Sequence, residues 1–388
     1  MKSDRRSRLA LDAHTVVIKV GTRVLTDERG YIDPARVRHL AEQLMQLRRE
    51  RRVLLVSSGA VAAGMSTLGY TKRPGDLAEL QAVAAVGQAK LIEVYNHEFR
   101  RHAESAEGTP AYHAAQVLLG ADDFQNRVGY LNVRNTLNRL MLFPNVIPVI
   151  NENDTVSVEE LQTTFGDNDK LAAMVTNLLR APLLIILSTV DGLLDDQKQV
   201  VSQVDRFDER IMGFVCDQKT GLSKGGMASK LRNAQLCASS GETVIIANGR
   251  TPSVLTRLLA GEPLGTLFVP QAKPISPRKR WIGAPATSRG KILVNHGAQQ
   301  AMRDQHGSLL AVGIVSIEGE FRKGDVVSVY LAPAEGEPLG KEFARGLSNY
   351  SAEDLERIKG LQSNKIAEVL GHRPYEEVIH QDNMALIS

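Results

Sequence analysis

Cysteine is nearly missing from this 388-residue chain: only Cys216 and Cys237 occur. Two residues cannot make a disulfide framework, and isolated thiols suit a reducing cytosol. Both sit among helix-forming residues and read as small buried hydrophobes. Long apolar runs are missing too. Leu183-Leu184-Ile185-Ile186-Leu187 falls far short of the ~20 residues that span a bilayer. The basic N-terminus is followed by no apolar segment, so it is not a secretory signal. The expectation is a soluble, cytoplasmic protein with no membrane partner.

Excess charge of one sign is absent as well. The formal net charge is +3, and Lys2, Arg5, Arg6 and Arg8 against Asp4 account for all of it. The sequence pI near 8.8 is therefore a property of a short tail, expected to be a solvated, frayed terminus. It is no argument for nucleic-acid binding. Neither a GxxxxGK[ST] loop nor a GxGxxG fingerprint occurs, which excludes the Walker A and Rossmann signatures. His97 and His102 flank what looks like a zinc helix, but five residues at about 100° each leave them roughly 140° apart around the axis. They read as surface residues, no other cysteine–histidine cluster has zinc spacing, and no metal-ligating residues are assigned.

What remains is an alternation. Apolar, β-rich runs at 16–20, 53–57, 116–119, 146–150, 183–187 and 243–247 read as parallel strands covered on both faces. Helical patterns fall between and after them at 34–50, 76–101, 125–142, 167–180, 227–240 and 252–260. In the first, Val37, Leu40, Leu44 and Leu47 form one apolar stripe. The pattern predicts an α/β fold, a mainly parallel open sheet sandwiched by helices, over residues 10–270. A proline-rich stretch at 271–288 reads as a linker. From 289 to 375 the runs are short and broken by glycines, which predicts a small β-rich domain with one helix at 352–359.

In such a sheet, ligands bind beyond the carboxyl ends of the strands. The first strand ends Lys19-Val20-Gly21. A lysine within an apolar strand needs a negative partner, so it either reaches a phosphate or points to solvent from an edge strand. The second runs into Ser57-Ser58-Gly59 and a string of small residues, either an anion site at a helix N-terminus or tight helix packing. The fourth ends in Asn151-Glu152-Asn153-Asp154. Thirteen residues past Asp154, Asp167-Asn168-Asp169 opens a helix. One helix cap needs one such residue; the excess points to a site for an ammonium group or a metal–nucleotide complex. The fifth ends Ser188-Thr189-Val190-Asp191-Gly192, a plausible turn. Lys224-Gly225-Gly226 precedes the expected helix start at Met227, with Lys230 about one turn inside, an arrangement that would cradle an anion.

Taken together, Val17–Thr22, Ser57–Gly64, Val149–Asp154, Phe165–Asp169 and Gly225–Lys230 resemble the amino acid kinase family, in its order and spacing over roughly residues 14–270. The tail from about Arg289, through Ala344–Ser351, looks like a PUA domain. The resemblance implies ATP-dependent phosphorylation of the side-chain carboxylate of L-glutamate to L-glutamyl 5-phosphate, at the entry to proline synthesis, with Mg²⁺ bridging the nucleotide phosphates. It implies Lys19, Asp169 and Lys230 as catalytic residues, Asp169 positioning the two lysines. It further implies Ser58, Gly59, Asp154, Asp167 and Asn168 around the glutamate. Around the nucleotide it implies Lys19, Gly21, Ser188, Thr189, Lys224, Gly225, Gly226, Met227, Ala228, Ser229 and Lys230. Proline as feedback inhibitor and a homo-oligomer (dimer or tetramer) follow from the same likeness.

Two departures stand out: Lys224 replaces a usual threonine, and Ser188–Leu194 lacks an aspartate and an aromatic frequent in relatives. Two alternatives stay open. One is a kinase of the same fold on aspartate or an N-acetylated amino acid; the other is an RNA-binding PUA protein with a vestigial kinase. Residues 271–388 hold 15 Lys and Arg against 14 Asp and Glu, which speaks against RNA, since phosphate backbones demand a basic surface.

Overall fold

The structure is a computed structural model, and it describes residues 6, 8, 12–104, 111–125, 127–155, 168–216, 224–271, 282–283, 286–305, 307–333, 339–371 and 375–387. The chain forms two compact units. One comprises Met1–Asp123 with Leu131–Pro274, the other Phe124–Tyr130 with Ile275–Ser388. Most of the linker expected at 271–288, and Asp167 of the expected site, lie outside the described residues.

The first unit is built on an eight-stranded sheet: β1 (Thr15–Val20), β2 (Arg52–Ser57), β3 (His113–Leu119), β4 (Val146–Glu152), β5 (Leu183–Ser188), β6 (Gln203–Val204), β7 (Thr243–Asn248) and β8 (Thr266–Phe268). Their order is β3-β4-β2-β1-β5-β7-β8-β6. From β3 to β7 every pairing is parallel; β8 then runs antiparallel to β7 and parallel to β6. The six expected strands are all present, each within three residues of its expected start. The two-residue β6 and three-residue β8 are additional.

Alternation along β1 sorts its side chains. Val16, Ile18 and Val20 join a core with Val53, Leu55, Ile185, Leu187, Ile245 and Ala247. The helices α1 (Pro34–Arg48) and α3 (Leu77–Glu104) cover that face through Val37, Leu40, Leu44, Leu91, Tyr95 and Phe99. Val17 and Lys19 point the other way, toward α4 (Asn168–Leu179) and α5 (Lys224–Ser239), which pack on β1, β5 and β7. With neighbours on both sides, β1 is central, which removes the reading of Lys19 as an edge-strand residue facing solvent. The chain winds one way from β1 through β2 and the other way from β5 through β7. The gap between β1 and β5 is thus the topological switch point, where α/β sheets bind ligands.

The small residues after β2 start the short helix α2 (Ala60–Leu68), which leaves Gly59 in the left-handed region at φ 108°. They also let α2 touch α3. A Cβ on Gly64 would lie 1.9 Å from the Val83 carbonyl oxygen, and one on Gly87 1.7 Å from that of Ala60. Tight packing therefore accounts for part of the small-residue string.

Two expectations need correcting. Lys224, Gly225 and Gly226 do not precede a helix; they are its first three residues, because α5 begins at Lys224 rather than Met227. The N-terminal tail is not wholly solvated either. Arg6 is 4% exposed and donates to the carbonyls of Ser202, at 3.1 Å, and Leu264; burial lowers its pKa. Cys237 is buried in α5, as expected.

The second unit carries a five-stranded sheet of order β10-β9-β11-β12-β13, formed by β9 (Gly290–Val294), β10 (Ile314–Glu318), β11 (Val326–Leu331), β12 (Ala344–Leu347) and β13 (Met384–Leu386). Its core gathers Ile292, Val294, Val327, Val329, Phe343, Leu355 and Ile379. The expected helix is present at Ala352–Ile358, capped by Ser351, whose hydroxyl accepts from Asp354 N.

The backbone contact between α2 and α3 leaves no room for a methyl group. Gly64→Ala and Gly87→Ala should each cost about 1–3 kcal/mol in denaturant unfolding, the usual effect of overpacking. Gly75→Ala, with nothing within 4 Å of its Cβ position and no left-handed backbone, should be close to neutral.

Candidate active site

Three charged side chains from three elements meet at the carboxyl end of β1. Lys19 comes from the strand, Asp169 from the first turn of α4, and Lys230 from α5. Lys19 Nζ lies 2.8 Å from Asp169 Oδ1, and Lys230 Nζ lies 2.8 Å from Oδ2. Lys230 donates a hydrogen bond there. The Lys19 contact is ionic without being well directed, since Oδ1 accepts no hydrogen bond of good geometry. Lys19 and Asp169 are both buried.

Burial alone would raise the Asp169 pKa. The charges of Lys19 and Lys230 outweigh it and hold the carboxyl below its usual value. Together the three groups carry a charge of +1, two cations spread over the two oxygens of one anion. Gly21 borders them, because a Cβ there would lie 3.6 Å from Lys19 Nζ and from Leu187 O. Its N–H donates to that same carbonyl at 3.2 Å.

A second cluster adjoins the first, in which three amides link a serine hydroxyl to the carboxylate of Asp154. Asn168 Nδ2 donates to Ser58 Oγ at 3.0 Å and to Asn151 Oδ1 at 3.1 Å. Asn151 Nδ2 donates to Gln88 Oε1 at 3.1 Å, and Gln88 Nε2 donates to Asp154 Oδ2 at 3.2 Å. All five residues are buried. Ser58 is placed by its N–H on Val20 O, so the two clusters share the end of β1. They also share the start of α4, where Asn168 serves one and Asp169 the other. Beneath Ser58, the hydroxyl of fully buried Tyr95 lies 2.9 Å from Ser57 Oγ; burial pushes the Tyr95 phenol up.

The sequence-derived residues sort accordingly. Lys19, Asp169 and Lys230 are joined by direct contact, and Ser58, Asn168 and Asp154 through the amides. Gly59 is the N-cap of α2. Ser188, the last residue of β5, and Thr189 just after it are half-buried and lie beside the carboxyl end of β1. Lys224, Gly225, Gly226, Met227, Ala228 and Ser229 form the opening turns of α5, the positive end of the helix that carries Lys230. Gln88, which no motif flags, was missed; a glutamine inside an apolar helix was its one signal. Asn151 appears in the acid–amide run but was not singled out there. Among the described residues no group of three or more His, Cys, Asp or Glu could hold a metal ion, and His97 is exposed.

The amino acid kinase family matches residues 14–248, and the PUA domain matches residues 290–370. The chain belongs to the amino acid kinase family. A glutamate 5-kinase of Rhodopirellula baltica is 45% identical over 387 residues, covering 98% of this chain and 96% of that protein. Glutamate 5-kinases of Methylococcus capsulatus (43% identity, 96% of each chain) and Chromohalobacter salexigens (41%, 100% of each) are similar over comparable lengths. Among solved structures, a carbamate kinase from Giardia lamblia bound to AMP-PNP is similar over 66% of this chain and 98% of its own, with a TM-score of 0.47 and 15% identity.

Removing the shared carboxylate leaves one buried and one partly buried ammonium group without it. Asp169→Asn should lower stability at pH 7 by about 3–5 kcal/mol, the usual cost of deleting one partner of a buried ion pair. Because the folded pKa is depressed, this stabilisation is complete above the unfolded carboxyl value near pH ~4 and is lost as pH falls through the lower folded value. The gap between wild type and variant, read from urea unfolding at each pH, should therefore narrow from about pH 4 downward.

Proposed function

We infer that this chain transfers the γ-phosphoryl group of ATP to the side-chain carboxylate of L-glutamate, giving L-glutamyl 5-phosphate, the first step of proline synthesis. The observation that carries the reading is the convergence of Lys19 and Lys230, far apart in sequence, on the two oxygens of Asp169. Full-length similarity to glutamate 5-kinases supports the choice of acceptor.

A carboxylate is already a nucleophile, so the acceptor requires no general base, consistent with a site of lysines and amides. The work left is alignment and neutralisation of charge on the phosphoryl oxygens. In this reading Lys19 and Lys230 hold the transferring group, and Asp169 fixes both ammonium groups at a set separation. Ser58, Asp154 and Asn168, with Gly59 and Asp167, receive glutamate, the acids facing its ammonium group. Gly21, Ser188, Thr189 and the opening of α5 from Lys224 to Lys230 line the nucleotide, where the helix start favours negative charge.

Asp169 is engaged by two lysines and is poorly suited to hold a metal. Mg²⁺ would ride on phosphate oxygens and water, as its preference for retained waters allows. It would supply charge neutralisation between the β- and γ-phosphates. A homo-oligomer, dimer or tetramer, belongs to the same reading.

A lysine about 4 Å from a phosphoryl oxygen is worth roughly 4 kcal/mol at an effective dielectric of ~20. Lys19→Ala and Lys230→Ala should therefore each lower kcat by up to about three decades. ADP release coupled to L-glutamate, ATP and Mg²⁺ measures this, and wild-type turnover no greater than that of Lys230→Ala would refute the reading. In the same assay N-acetyl-L-glutamate should be a poor substrate, because acidic residues arranged for an ammonium group gain nothing from an acetylated amine.

Proline presents the same α-carboxylate and a cationic amine. It should raise the apparent KM for glutamate when titrated against the enzyme, and an unchanged rate at all glutamate concentrations would remove it as a regulator.

A further inference from the structure

Gln88 stands at the centre of the amide cluster and both ends of its side chain are used. It is 5% exposed. Its Oε1 accepts from Asn151 Nδ2 at 3.1 Å, while its Nε2 donates to Asp154 Oδ2 at 3.2 Å and to Glu152 O at 3.0 Å. Asn151 passes the constraint on, accepting at Oδ1 from Asn168 and from Glu152 N. Asn168 in turn donates to Ser58. Four side chains drawn from the ends of β2 and β4 and the start of α4 are thus tied to a single residue of α3, Asp154 and Asn151 directly, Asn168 through Asn151, and Ser58 through Asn151 and Asn168.

The position of Gln88 is itself set by packing. The preceding residue is Gly87, where the backbones of α3 and α2 touch, so this turn of α3 is registered against the helix that begins just after Ser58. The chemistry is selective too. A primary amide offers a donor and an acceptor without charge. An aliphatic side chain would strip a donor from Asp154 and an acceptor from Asn151, and buried groups left in that state are costly. A carboxylate would keep the acceptor for Asn151 but set like charge against Asp154.

We propose that Gln88 is a positioning residue for the amino acid substrate. It aligns Asp154 directly, and Asn168 and Ser58 by way of Asn151, so that the three receive glutamate in one arrangement. The proposal rests on the reading of the site given above. It separates Gln88 from the phosphoryl-handling lysines, with which it shares no hydrogen bond or ion pair among the contacts described.

Steady-state kinetics of the full chain tests it. Gln88→Leu should raise KM for glutamate by about 10–100-fold, the scale of lost hydrogen bonds to a charged group. KM for ATP should stay within about twofold and kcat at saturating glutamate within about threefold, the signature of binding lost equally from ground and transition states. Gln88→Glu, of the same shape, should impair KM for glutamate at least as much. If Gln88→Leu fails to fold by circular dichroism, Gln88→Glu decides the matter on the same measurements. A folded variant with unchanged KM for glutamate would overturn the proposal. So would one in which kcat and KM for ATP suffer as much as KM for glutamate, because that is the mark of a general structural role. Wild-type enzyme without glutamate-dependent ADP release would instead overturn the functional reading and this inference with it.

Discussion

The site depends on one carboxylate shared by two ammonium groups. A buried lysine is tolerable only beside a negative partner, and each of Lys19 and Lys230 has 2.8 Å contact with a different oxygen of Asp169. A private aspartate for each lysine would cancel both charges and leave the site without net positive charge. Sharing one anion satisfies the buried Lys19 and the partly buried Lys230 and leaves the triad positive. It also couples the geometry of three elements that are distant in sequence, because moving α5 or β1 changes a contact on the same carboxylate.

The sheet makes that sharing feasible. Side chains alternate along β1, so the core takes Val16, Ile18 and Val20 and Lys19 falls on the face covered by α4 and α5. Asp169 is in the first turn of α4, where a negative charge also suits the helix dipole. Parallel strands on both sides of β1 bring the ends of β2 and β5 level with Lys19. At that level Ser58 follows β2 and Ser188 ends β5.

How much of this was legible in the sequence follows from how local each signal is. The parallel strands were readable because a strand buried on both faces must be continuously apolar, and Leu183–Leu187 or Val53–Val56 fit no exposed role. β6 and β8 were not, since two or three residues carry no periodicity and exist only through pairing with β7 and with each other. The sequence puts the start of α5 late because Gly225 and Gly226 have poor helix propensity, which tertiary context overrides. Arg6 reads as solvated in the sequence because its partners are the carbonyls of Ser202 and Leu264, and main-chain acceptors leave no mark there. Lys19, Asp169 and Lys230 each stood out locally, but their meeting on one carboxylate is a property of the fold.

Gln88 shows the opposite case, a residue with almost no local signature and many consequences. The proposed role follows from the division of the site into a lysine–aspartate triad and an amide-rich half with one carboxylate, Asp154, which meet at Asn168 and Asp169. The one carboxylate of that half, Asp154, is buried and accepts from Gln88, and the amides around it satisfy one another without adding further charge beside the lysine–aspartate triad. The two halves can then be tuned separately although they touch. A change in the amide chain alters how Asp154, Asn168 and Ser58 are presented, while the separation of the two ammonium groups is fixed elsewhere, by the width of a single carboxylate.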